Sequence, residues 1–200
     1  MVRELLAVGA DTNVSDENAD TPLFVAVKAR HSAAATELIS GGHADVGRRD
    51  VARARQPLHY AAELGLPDVA AALLDAGSDV NAADADGRTP LILATIGGHE
   101  DVASLMMERD GCDVNVVDST QRTCLFYAAQ SGLVRTLRQL LQVRPLGFRD
   151  LGFLNFAFYQ VFAPRSGRGG VIVDDVRLSS VASQCKRGAG PVTTAHIGRC

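Results

Sequence analysis

Cysteine is scarce in this sequence, and the four present, Cys112, Cys124, Cys185 and Cys200, form no C-x-x-C pair. No paired histidines fall at zinc spacing either. No metal centre is therefore expected, and the thiols read as reduced residues of a cytoplasmic or nuclear protein. Long apolar runs are also missing. The start, Met1-Val2-Arg3-Glu4-Leu5-Leu6, has no extended apolar core and does not read as a signal peptide. The longest apolar stretch, Leu151 to Ala163, is interrupted by Asn155 and Gln160. It falls short of the roughly 20 residues that span a bilayer, so membrane insertion is not expected. Strong charge of one sign is absent as well. The net charge of −3 supplies no global field for nucleic acid or a membrane surface.

Charge is nevertheless unevenly spread. Residues 1–144 hold 13 Lys/Arg and 20 Asp/Glu, a balance of −7, and residues 145–200 hold 7 and 3, a balance of +4. With 22% charged and 46% apolar residues overall, this predicts an acidic folded body and a basic tail.

Repetition is what the sequence has in abundance. One marker places aspartates at Asp11, Asp45, Asp79 and Asp113, each step being 34 residues. A second marker recurs at Thr21-Pro22-Leu23, Gln56-Pro57-Leu58, Thr89-Pro90-Leu91 and Thr123-Cys124-Leu125, in steps of 35, 33 and 34. Two markers sharing one period define a repeat array. The local chemistry fits two helices per unit. Thr89 suits an N-cap and Pro90 the first helical position, where a missing N–H costs nothing. Ala61-Ala62 and Ala128-Ala129 let a first helix lie close to its neighbours. Gly98 and Gly132 can end that helix, and Gly77 and Gly111 the second. Val69, Leu73 and Leu74 form a core stripe at helical spacing. Asp16, Asp84 and Asp118 open turns by bonding nearby backbone N–H groups.

These motifs resemble the ankyrin repeat. The resemblance is carried by Gln56-Pro57-Leu58-His59-Tyr60-Ala61-Ala62, Gly98-His99, Leu73-Leu74 and Gly77-Ser78-Asp79-Val80-Asn81. It implies an all-α ankyrin solenoid of helix-turn-helix units with β-turn or hairpin loops, about four units preceded by a half unit. Residues 1–15 read as the incomplete unit, either the edge of a longer array or a half-cap, and are expected to fray. Residues 16–144 are the repeats. Residues 145–163, with Phe148, Phe153, Phe156, Phe158 and Phe162, read as an aromatic C-terminal cap or an interaction patch. Residues 164–200 read as a flexible, disordered basic tail. By the same resemblance, Asn81 and Asn115 are candidates for hydroxylation.

Catalytic chemistry is not expected. His99-Glu100 lacks a second histidine four residues on, and Gly167-Arg168-Gly169-Gly170 is too poorly framed for a phosphate loop. Cys124 stands at a helix start, where a dipole can lower a thiol pKa, but packing is the simpler role. His59 fills a place that in the family bonds a Thr hydroxyl, whereas Gln56 stands where that Thr would be. No cofactor and no small-molecule substrate are implied.

The remaining candidates are surface residues. The turn of the third unit runs from Asp50 to Pro57, 7 residues, against 6 in the others, and Arg53 and Arg55 follow Arg48 and Arg49 closely. This cluster reads either as a solvated turn or as a docking spot for an acidic peptide or phosphate. Nucleic acid is disfavoured because no aromatic platform accompanies it. By position in the ankyrin pattern, the concave face carries Glu17, Asp20, Lys28, Arg53, Arg55, Glu63, Leu64, Asp86, Arg88, Ile96, Ser119, Thr120, Arg122 and Gln130. That mixed face suits a partner protein. Two functions are expected in that order: a protein-interaction scaffold, or a substrate-receptor adaptor of a ubiquitin ligase with a divergent docking segment in the tail. Arg53→Glu with Arg55→Glu is expected to weaken binding without unfolding the array.

Overall fold

The computed structural model describes residues 2–41 and 44–143. The predicted cap at 145–163 and tail at 164–200 lie outside them. The described residues form helices α1 (Val2–Ala7), α2 (Pro22–Lys28), α3 (Ser32–Ser40), α4 (Pro57–Leu64), α5 (Pro67–Asp75), α6 (Pro90–Ile96), α7 (Glu100–Met107), α8 (Cys124–Ser131) and α9 (Val134–Val143), with no strand. From α2 onward the helices are paired: α2 packs on α3, α4 on α5, α6 on α7 and α8 on α9. The first helices α2, α4, α6 and α8 stack in one row, and α1, α3, α5, α7 and α9 in a second. The expected all-α solenoid is what these residues build.

The reasons are local. Pro22, Pro57 and Pro90 each open a first helix. Thr21 and Thr89 accept from the N–H of Phe24 and Ile92, at long range (3.5 and 3.4 Å). Cys124 opens α8 without a proline, and its thiol donates to the Val114 carbonyl at 3.1 Å. That buried bond gives the cysteine a packing role. At the first-helix ends, Leu66, His99 and Leu133 donate to the carbonyls of Ala61, Ala94 and Ala128 at 2.9 Å. These closures require a left-handed residue, which Gly65, Gly98 and Gly132 supply. The second unit closes in the same way, His31 to Ala26 at 2.8 Å, but there Arg30 takes the left-handed conformation at φ +59°.

Small residues set the spacing between units. Ala61, Ala62, Ala94 and Ala128 have no exposed surface, and Leu58, Leu91, Val69, Leu73, Val102 and Met106 pack against them. Leu74, expected in the same stripe, is only half-buried. The first helix differs from the rest: α1 has no buried residue, and Leu5 and Val8 are 54% and 88% exposed. Among the described residues no helix is long and apolar enough to cross a membrane, and no group of His, Cys, Asp or Glu is placed to hold a metal ion.

Candidate interaction face

Each unit begins with a turn built on one aspartate. Asp16 accepts from the N–H of Asn18 and Asp20, Asp84 from Asp86 and Arg88, and Asp118 from Thr120 and Arg122, all at 2.8–3.0 Å. The turn then closes through the main chain, Asp84 N–H to Arg88 O at 2.9 Å and Asp118 N–H to Arg122 O at 3.0 Å. In the third unit, with its extra residue, Asp50 donates to Arg55 O at 2.9 Å. The residue before each closing position is left-handed: Ala19, Ala54, Gly87 and Gln121. Only Gly87 suits that conformation without strain. It is also the one whose added Cβ would lie 3.2 Å from the Ser119 nitrogen. Successive tips are joined by main-chain bonds, Ala85 N–H to Arg53 O and Ser119 N–H to Asp86 O, both 2.8 Å.

Hydrogen bonding favours the ionised form of Asp118 and Asp50. For Asp118, burial opposes ionisation, but the Thr120 and Tyr127 hydroxyls and the backbone N–H groups outweigh it and take the carboxyl down to about 2. Asp50 is lowered by the same balance, burial against the Tyr60 hydroxyl and the Arg53 and Arg55 N–H groups. The Tyr60 and Tyr127 hydroxyls donate to Asp50 and Asp118 at 2.5 Å. Burial and the Asp50 contact push Tyr60 up to about 12.

The expected site residues divide into two groups. Glu17, Arg53, Asp86, Ser119, Thr120, Arg122 and Gln130 are exposed along the tips and first helices, and Ile96 is 42% exposed. Lys28 is exposed but already occupied: its ammonium reaches both oxygens of Asp20 at 2.6 and 2.7 Å and lies over the Tyr60 ring at 4.8 Å. Leu64 is half-buried.

Arg55 requires a correction. Its side chain is 1% exposed, held by Asp84 at 3.1 Å, by Glu63 at 2.7 Å and by the Tyr60 ring at 5.6 Å. It is an internal strut between the third and fourth units and is not available to a partner. The expected docking cluster does not assemble either. Arg48 donates to the Ser15 hydroxyl at 2.9 Å, and Arg49 donates to the Ala54 and Ala83 carbonyls at 2.9 and 2.6 Å. Of the four arginines, Arg53 alone is exposed without a side-chain bond to a described residue.

Three devices were not read from sequence, the first within a unit and the other two between neighbouring units. His59 Nδ1 accepts from the Gln56 N–H at 3.1 Å, so the histidine ring caps α4 although no Thr is present. His99 Nε2 donates to the Glu63 carbonyl at 3.0 Å. Its ring lies where a Cβ on Gly65 or Gly97 would come within 2.3 or 2.6 Å. Asn81 accepts from the Asp113 N–H at 2.8 Å and donates to the Gly111 carbonyl at 2.7 Å, and Asn13 accepts from Asp45 at 2.8 Å. The 32-residue spacing of the Asn–Asp pairs is the signal that would have revealed this bridge.

Paired helices joined by aspartate-anchored turns, with each unit bonded to its neighbours among the described residues, define a repeat solenoid. The family model for ankyrin repeats (three copies) matches residues 1–84 and 73–146, and the chain belongs to the ankyrin repeat family. Cyclin-dependent kinase 4 inhibitor B of Mus musculus is 34% identical over 110 residues, covering 55% of this chain and 83% of that protein. "Probable E3 ubiquitin-protein ligase XBOS33" of Oryza sativa subsp. japonica is 41% identical over 86 residues, 42% of this chain. Rabankyrin-5 of Homo sapiens is 36% identical over 72 residues, 36% of this chain. The chain spans only 16% of the rice protein and 6% of rabankyrin-5. Proteins of this family generally mediate protein–protein interaction.

Proposed function

We propose that the chain binds a partner protein through its turn tips and first helices, the concave side of the ankyrin architecture, and carries out no chemistry of its own. One observation carries this reading. Exposed side chains of mixed character, Glu17, Arg53, Asp86, Ser119, Thr120 and Arg122, stand on turns whose main chain is already fixed by buried or hydrogen-bonded aspartates. A surface ordered before binding loses little conformational entropy on docking, so modest contacts suffice for affinity. The same turns set the spacing between side chains of successive units, as register-dependent recognition of a protein requires. A cytoplasmic or nuclear location accords with this role. The adaptor role in a ubiquitin ligase would draw on residues 146–200, which lie outside the described residues.

Site-specific photocrosslinking in cells tests the proposal. A photoreactive residue at Arg53, Asp86 or Ser119 is expected to trap a common partner. The same group at Asp75, Glu108 or Arg138, exposed on the second-helix row, is expected to trap none. Crosslinks confined to the second-helix positions would overturn the reading.

A further inference from the structure

The inner face contains a charge rule that changes halfway along the array. The residue that closes each turn is Asp20, Arg55, Arg88 or Arg122, and eight residues further on the first helix presents Lys28, Glu63, Ile96 or Gln130. In the second unit the two positions form an ion pair, Asp20 with Lys28 at 2.6 Å. In the third they do so with the signs exchanged, Arg55 with Glu63 at 2.7 Å. In the fourth and fifth units the arginine is kept and its partner is lost. Ile96 and Gln130 offer no charge.

The two remaining guanidiniums are therefore under-compensated. Among the described residues Arg88 pairs with Asp86 alone, at 3.5 Å, and that carboxylate is 53% exposed. The Arg88 Nε is shielded from solvent and has no hydrogen-bond partner among the described residues. Arg122 meets no carboxylate at ion-pair distance among the described residues; its guanidinium lies over the Phe126 ring at 5.0 Å. This cation–π contact holds the guanidinium beside the ring without supplying it a counter-charge. The two arginines occupy equivalent positions on adjacent turns whose tips are joined by the 2.8 Å bond from Ser119 to Asp86. Exposed Ile96 and half-buried Phe126 add apolar surface beside them.

We propose that Arg88 and Arg122 form a subsite for an aspartate or glutamate side chain carried by an extended segment of the partner protein. The proposal rests on the reading that the inner face docks a protein, and it names the chemistry that face selects. The bound carboxylate takes the role in the fourth and fifth units that Glu63 and Asp84 take around Arg55. A charge-assisted, forked contact to carboxylate is the interaction guanidinium geometry favours. Unlike the second and third units, where the charges are already matched internally, these two gain a partner on binding instead of exchanging one. Acidic segments are also the class that the otherwise acidic body would repel elsewhere, which confines them to this end of the face.

Selection of a random dodecapeptide library displayed on phage against the full chain tests this. Selected peptides are expected to be enriched in Asp or Glu. Their affinity is expected to fall about tenfold with Arg122→Gln, and likewise with Gln130→Glu or Ile96→Glu. The last two keep both arginines and supply an internal carboxylate at the position of Glu63, so their loss of binding cannot come from a lost arginine or a failed fold. Thermal unfolding of these two variants is expected to be unchanged or raised. Peptides that map to the inner face but carry no acidic enrichment, or that bind these variants as well as the parent, would overturn the subsite and leave the docking face standing. Peptides that map only to the second-helix row, or a library that yields no binder, would overturn both.

Discussion

Arg55 shows how a single side chain can reverse the meaning of a sequence feature. With Arg48, Arg49 and Arg53 it looks like part of a basic spot, yet it is the largest fully buried side chain of the described residues. Its carboxylate partner Asp84 lies 29 residues away and has no exposed side-chain surface. Removing one member of a buried ion pair strands the other's charge, at a cost of about 3–5 kcal/mol. Arg55→Gln is thus expected to lower the unfolding free energy by about that amount in urea denaturation, while Arg53→Gln changes it by less than about 0.5 kcal/mol. Arg55→Glu would add a negative charge beside Asp84 and Glu63, so the double variant with Arg53→Glu is expected to destabilise the array. Equal, small effects at both arginines would contradict the strut. The residue scale is also where the sequence was least legible. Burial of Arg55 depends on an aspartate delivered by the next unit, and the capping by His59 on a ring nitrogen replacing a hydroxyl. Neither follows from residue type at one position. The eight-residue pairing of Asp20 with Lys28 and of Arg55 with Glu63 was present in the sequence, but it emerges only when the units are aligned and the turns are seen to close at those residues.

At the scale of elements, legibility was high because two signals repeat independently. Proline at Pro22, Pro57 and Pro90 marks where first helices begin, and glycine at Gly65, Gly98 and Gly132 where they end. The exceptions are informative. Arg30 holds the glycine position of α2, and Ala19, Ala54 and Gln121 hold the left-handed turn position, so packing and hydrogen bonds override local preference at these four sites. Elements also differ in how firmly they are held. The α4 and α6 helices have neighbours on both sides in the first row and bury most of their apolar residues, whereas α1 buries none and meets α3 with an Arg3–Glu37 pair at 3.0 Å in which Arg3 is exposed. Exposed pairs of this kind contribute little. Amide hydrogen exchange is therefore expected to be fast across residues 2–8 and slowest in α4 and α6. Protection at residues 2–8 equal to that of α6 would contradict this order.

For the whole molecule, the buried ionisable groups predict a two-stage loss of stability in acid. Burial lowers the pKa of His59 below its ordinary 6.5, so the unfolded chain takes up a proton that the folded one refuses as pH falls below about 6.5. Stability declines from that point. Asp118, at about 2 in the fold against 3.8 in a free chain, contributes above pH 4 and loses its contribution as pH falls from about 4 toward 2, as does the lowered Asp50. The Asp118 share is about 2 kcal/mol, from roughly 1.4 kcal/mol per pH unit of separation. Urea midpoints measured from pH 7 to 3 are expected to fall in these two steps, the first disappearing in His59→Gln. A flat profile down to pH 4 would count against the buried neutral histidine.

The neighbour-only bonding has a mechanical consequence. Ser119 to Asp86, Ala85 to Arg53, Asp113 to Asn81 and Arg55 to Asp84 each tie one unit to the next. A force applied to the ends meets these ties in series, not in parallel. The array should therefore peel from its weaker edge one unit at a time, each release of 34 residues freeing roughly 120 Å of chain at about 3.5 Å per residue. Such a molecule behaves as an extensible tether with internal stops, able to lengthen under load while its remaining units keep their grip.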